Sequence, residues 1–264
     1  MHQSYSSLVY IFVQFLRRDM RVYAAKISEN LINYALIIPL LNGISFAYLQ
    51  SHIYFGTNSA QGLAVFCGTI LGPFLALIFK VAFDILFDLE GNRFIDYQLV
   101  ILNPRLILLQ RILFITLYSF CMMLPFFPMV YIALGSYVDM SSSSWFLLAP
   151  VIFCASFCIT GYTMLFAVIL RRYQIRMFWT RVNHILMIFG GMFIPYHTIA
   201  QFSPLLGMIV RANPLIYASE GIRAAIVGGP LFMSIATCCI MLILFGTIFT
   251  LLTFYFFKKR VDHL

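Results

Sequence analysis

Long apolar runs alternate with short basic connections along this chain. Residues 31–50, 62–87, 106–134, 145–170 and 231–257 each meet the roughly 20 apolar residues that a bilayer crossing requires, and residues 182–194 add a shorter apolar run. The pattern predicts six spans. Proline removes a backbone donor and crowds the preceding turn, so Pro39 is placed to kink the first span, and Pro125 and Pro128 to bend the outer half of the third. The last run spans 27 residues, more than a crossing needs, which implies tilt.

Two further stretches are amphipathic. Residues 8–27 place Leu8, Val9, Phe12, Phe15, Leu16, Met20 and Tyr23 on one helical arc, with Gln14, Arg17, Arg18 and Arg21 opposite. This predicts a helix lying in the membrane interface. Asp19 and Lys26 fall on the apolar arc and interrupt it. The basic residues follow the apolar run and no small-residue cleavage site ends it, so the segment is expected to stay on the mature protein. Between spans two and three, residues 88–104 are polar and carry an amphipathic stretch at 93–102 that Asn103-Pro104 stops. A second surface helix is expected there.

Residues 190–229 depart from the plain span pattern. Glycine pairs bracket the segment, and Pro195, Pro204 and Pro214 each disfavour helix in the residue before them. Inside hydrocarbon, broken backbone survives only where protein or a water-filled cavity satisfies its polar groups. That predicts a re-entrant excursion. Asn213-Pro214 marks a turn, and a short helix over 217–227 then carries Glu220 and Arg223 at i, i+3. Exposed, such a pair contributes about 0.2–0.5 kcal/mol; partly buried, either charge left alone is far more costly. On this reading a charge-swapped double variant recovers in part.

Composition sets the class. The chain is 62% hydrophobic and 10% charged, with mean hydropathy +0.94, too apolar for a soluble globular domain. Basic residues number 17 against 9 acidic, a net charge of +8. Fifteen of the 17 fall at connections or span ends on one side, with only Arg211 and Arg223 opposite. The positive-inside rule therefore puts both termini in the cytoplasm. Topology and attraction to anionic lipids account for the charge without a nucleic-acid partner. The expected organisation is one all-α transmembrane unit of six spans: interface helix 1–30, spans one to five 31–197, re-entrant segment 198–230, span six 231–257 and cytoplasmic tail 258–264.

Little in the chain suggests catalysis. No Lys precedes Ser or Thr, so the phosphate-binding G-x-x-x-x-G-K-[ST] loop is absent, as are G-x-S-x-G and H-E-x-x-H. The six cysteines lack zinc spacing, and Cys154 and Cys158 at i, i+4 read as packing residues. No metal site and no cofactor are expected. Lys80 and Asp84, four apart on the second span, read as an ion pair anchored at the interface.

Pro195, followed by Asn213-Pro214-Leu215, Tyr217, Glu220 and Arg223, resembles the C-terminal signature of the ABC-2 permeases, the membrane subunits of type-2 ATP-binding-cassette exporters. The resemblance implies a non-enzymatic transport subunit in the plasma (inner) membrane, driven by separate ABC ATPase subunits. It further implies a second permease copy, in a homodimer or heterodimer, and a path between them for an amphipathic, lipid-linked or glycan substrate. Coupling to the ATPase would fall on the first cytoplasmic loop at Glu90, Gly91, Arg93, Ile95, Asp96 and Tyr97, with Arg172 and Arg176 as a second contact. The interval from Gly91 to Pro104 is longer than the family's usual one. Pro195, Asn213, Pro214, Tyr217, Glu220 and Arg223 would form the re-entrant outer gate. Two other classes fit the apolar pattern: a self-contained transporter or channel, and a non-transporting membrane scaffold.

Overall fold

The computed structural model describes residues 5–49, 59–90, 94–135 and 143–261. All regular structure among them is helical. Five helices are long and apolar enough to cross a membrane.

Helix α1, Tyr5–Ala24, turns Asp19 and Tyr23 into the protein at 2% and 6% exposure, while Val9, Tyr10, Val13, Met20 and Val22 stay exposed. The apolar arc is thus divided between protein and surroundings. Helix α2, Ile27–Leu49, is the first span. Around Pro39 it widens into π turns at Leu31–Ile37 and Gly43–Leu49, a common response to a missing backbone donor.

The second span consists of α3, Ser59–Thr69, and α4, Leu71–Ala82. It ends at Phe83, short of the expected Phe87, and α5 restarts as Asp84–Glu90. Helix α6, Phe94–Ile101, lies within the stretch where a surface helix was expected. The Asn103 side chain accepts from Arg105 N at 3.1 Å and Pro104 takes the first turn, opening α7, Pro104–Met123. Pro125 interrupts this third span as expected, and α8 follows as Phe126–Leu134.

Helix α9, Trp145–Ile169, is the fourth span and the centre of the bundle, packing against the helices at Ile235–Val261 and Pro214–Ile226 and against α7 and α4. The second and fourth spans are each 78% buried over their most apolar window, against 22% for α2 and 17% for the last span. Gly161 and Gly246 let the fourth and last spans approach closely, since a Cβ on Gly246 would lie 2.7 Å from the Phe157 ring.

Where a fifth span was expected over 182–194, the structure has α10, residues 175–189, a continuous run of α, π and α turns that is not among the five helices long and apolar enough to cross. Its 15 residues reach only about 22 Å at 1.5 Å per residue, short of a hydrocarbon core of about 30 Å. It stops at Gly190-Gly191. Three short helices follow, α11 Tyr196–Phe202, α12 Pro204–Val210 and α13 Pro214–Ile226.

The last span, α14, is Ile235–Val261, four residues later than expected at both ends. Ser234 Oγ accepts from Thr237 N at 3.2 Å and fixes its start. Lys258, Lys259 and Arg260 lie in its last turn, where cations complement the helix dipole. Arg260 donates to the Val168 and Leu170 carbonyls at 2.6 and 3.1 Å, capping the end of α9.

Candidate functional site

The break after α10 leaves carbonyls without helical partners, and Gly191 takes a left-handed φ of 77° there. Helix α13 supplies the donors. Asn213 Nδ2 donates to Leu186 O at 2.7 Å, Ser219 Oγ to Gly190 O at 2.8 Å, and Arg223 Nη2 to Gly191 O and, at 3.5 Å, to Met192 O. Beyond the break, Pro195 precedes α11 without a capping side chain, and Glu220 Oε1 accepts from Tyr196 N at 2.9 Å. Arg223 Nη1 lies 3.0 Å from Glu220 Oε1, and its Nε donates to Ala64 O on α3 at 2.7 Å. Both charged side chains are 0% exposed.

Local chemistry presents these groups. Asn213 Oδ1 accepts from Leu215 N at 3.1 Å and Pro214 occupies the first turn, so α13 starts at a defined residue. Tyr217 Oη donates to Arg211 O at 2.9 Å and ties the preceding turn to the helix. Of the signature residues, Asn213, Glu220 and Arg223 bond to the break, Pro195 precedes α11 beside it, and Pro214 and Tyr217 act on the start of α13. Three participants lay outside that reading: Ser219, Ala64 and Gly68. A Cβ on Gly68 would overlap the Arg223 guanidinium and Met192 O. Small residues four apart on one face of the span, Ala64, Gly68 and Gly72, were the available signal.

Lys80 and Asp84 are not paired with each other. Phe83 ends α4, so the two do not share a continuous helix and the i, i+4 register is lost. Lys80 Nζ instead donates to Asn30 Oδ1 at 3.1 Å and lies 3.8 Å from Glu29 Oε1, while Asp84 accepts from Tyr23 Oη. Lys80 thus ties the second span, and Asp84 ties α5 after it, to the N-terminal segment. Asp19 belongs to the same system. It accepts from Arg18 at 2.6 Å and Gln110 at 2.7 Å and lies 3.7 Å from Arg111, which also pairs with Asp88 at 2.6 Å. Burial raises the Asp88 carboxyl above its usual range, with Arg111 opposing it. Burial, then the bond to Asp84, likewise raises the Tyr23 phenol.

On α6, Ile95 is buried at 1% exposure, whereas Tyr97, Val100 and Ile101 are exposed. Asp96 lies in the same helix, and Glu90 ends α5. Gly91 and Arg93 lie outside the described residues. Arg172 begins a 3-10 turn, Arg172–Gln174, and Arg176 lies in the opening turn of α10. Tyr173 and Met177 are exposed in that second connection. At the break, a cavity of about 600 Å³ is lined by apolar groups including Val65, Phe193, Ile194 and Phe232, with His197 and Thr198.

Five helices long and apolar enough to cross a membrane, with a broken segment closed by a buried ion pair, define an all-α multi-pass membrane protein. The model of the ABC-2 type transporter family matches residues 10–227, and the chain belongs to that family as a permease subunit. No curated protein matches it. Membership implies an ABC ATPase partner for this membrane subunit.

Proposed function

We propose that the chain is half of an exporter: two copies enclose a path for an amphipathic, lipid-linked or glycan substrate, and two separate ATPase subunits drive it from the cytoplasm. Both termini lie in the cytoplasm of the plasma membrane on this reading, as the distribution of basic residues implies. Helix α6 receives the ATPase through Tyr97, Val100 and Ile101, and the connection of Arg172 and Arg176, whose first turn packs against α5, is the second contact. The observation that carries the reading is the pairing of an exposed apolar face on α6 with a matched family model. Large apolar side chains left exposed outside the candidate spans mark contact surfaces. Force received there has a direct route inward, because Arg111 joins Asp88 on α5 to Asp19 on α1. The apolar cavity beside the break favours an amphipathic cargo over an ion.

The test is transport. Lipid or glycan co-purified with the assembly is identified by mass spectrometry and offered to inverted membrane vesicles with and without ATP. ATP-dependent accumulation supports export. Flux that ignores ATP would support a self-contained transporter instead, and the absence of any flux a scaffold.

A further inference from the structure

The cleft between the third and last spans at the basic end carries a chemistry that transport leaves unused. Asn103, Pro104, Arg105 and Leu108 of the α7 entry face Phe254, Phe257 and Lys258 of α14 across a cavity of about 380 Å³. Arg105 and Lys258 are exposed at its mouth, and among the described residues no carboxylate lines it. The floor differs in kind. Leu108 and Phe257 are buried at 0% and 1% exposure, and Phe254 is half-buried. The cleft sits where the apolar run of α14 gives way to Lys258-Lys259-Arg260, the level at which a bilayer changes from acyl chain to headgroup.

We infer that this cleft binds an anionic phospholipid, its phosphodiester held between Arg105 and Lys258 and its upper acyl segment lying on Phe254 and Phe257. Two cations at a cleft that no acid lines among the described residues select negative charge. An aromatic floor selects a lipid over a soluble phosphate, because only the lipid covers apolar surface as it binds. Asn103 Oδ1 is already engaged with Arg105 N, so it orients the arginine backbone and leaves the guanidinium to the ligand. The site holds whatever the transported substrate is, since it uses none of the residues at the break or on α6.

Native mass spectrometry of the full chain in neutral detergent tests it, using phosphatidylglycerol and phosphatidylcholine of identical acyl chains. Each basic residue near an anionic surface strengthens binding about fivefold, so the first-bound phosphatidylglycerol should weaken about 30-fold in Arg105→Gln/Lys258→Gln and phosphatidylcholine should not change. The charge-preserving pair Arg105→Lys/Lys258→Arg should retain the preference. If the double variant elutes as aggregate, each single Gln variant should show its own loss of about fivefold. Equal binding of the two lipids by the unmodified protein, or a preference surviving in the Gln variants, overturns the site. Free glycerol phosphate competing as well as the lipid would show that the headgroup alone suffices and overturn the lipid assignment.

Discussion

Arg223→Ala probes the part of the structure where burial is most complete. The guanidinium donates to Ala64 O, Gly191 O and Met192 O and pairs with Glu220, with both charged side chains at 0% exposure. Truncation leaves a buried carboxylate without its counter-charge, a loss of about 3–5 kcal/mol, and orphans carbonyls of the break. One kcal/mol shifts a thermal midpoint about 2–4 °C in a chain of this size, so roughly 6–20 °C is expected from the charge alone. Glu220→Ala should cost less, because Arg223 keeps its carbonyl acceptors, and Glu220→Gln least, because its amide oxygen can still accept from Tyr196 N. The swapped pair Glu220→Arg/Arg223→Glu should fail outright. A carboxylate at 223 would point acceptors at three carbonyls, and an arginine at 220 has no acceptor for the Tyr196 amide. This reverses the partial recovery that sequence spacing alone predicts, since a surface pair needs only opposite charge. Thermal unfolding followed by fluorescence-detected size exclusion ranks the four variants. A swap that restores half of the Arg223→Ala loss, or an Arg223→Ala loss below about 1 kcal/mol, would refute the reasoning.

Gly68→Ala should lower the thermal midpoint by the equivalent of about 1–3 kcal/mol, the usual cost of overpacking, because its Cβ would overlap Met192 O and Arg223; an unchanged midpoint in the same melt would mean the close approach relaxes freely. Tyr97→Asp should leave the melt and elution unchanged while reducing ATPase capture on a pull-down, whereas Ile95→Asp buries a charge and should unfold the basic end; identical behaviour of the two would contradict their opposite exposures. Asp19→Ala should leave Arg111 short of an acceptor and loosen α1, read as faster amide exchange over Tyr5–Ala24 than in the unmodified protein; unchanged exchange would show that α1 is held by apolar packing alone.

Features that depend on local chemistry were legible before the structure. The long spans, the Pro125 interruption and the Asn103-Pro104 stop each follow from apolar run length or from proline and cap chemistry within a few residues, whereas the helix expected over 217–227 begins at Pro214, directly after the Asn213 cap. The convergence of Glu220 and Arg223 on a backbone break was foreseen only as a helical pair, because i, i+3 spacing says nothing of the carbonyls at Gly191 and Ala64 that hold the arginine. Lys80 and Asp84 show the converse. Spacing predicted a pair, but the stop at Phe83 ended the shared helix and a distant segment supplied Asn30, Glu29 and Tyr23. Asp19 interrupted the apolar arc of α1 for a reason that lay 91 residues away, at Gln110. Tertiary partners at such separations leave no periodic trace.

The central claim is that a separate ATPase drives this chain through α6. ATP hydrolysis by affinity-purified chain, with and without its ATPase, tests it directly. The account predicts no hydrolysis by the chain alone, hydrolysis in the assembly that disappears when the Walker A lysine of the ATPase is replaced, and loss of the captured activity in Tyr97→Asp. Hydrolysis by the chain alone, or full captured activity with Tyr97→Asp, would contradict it.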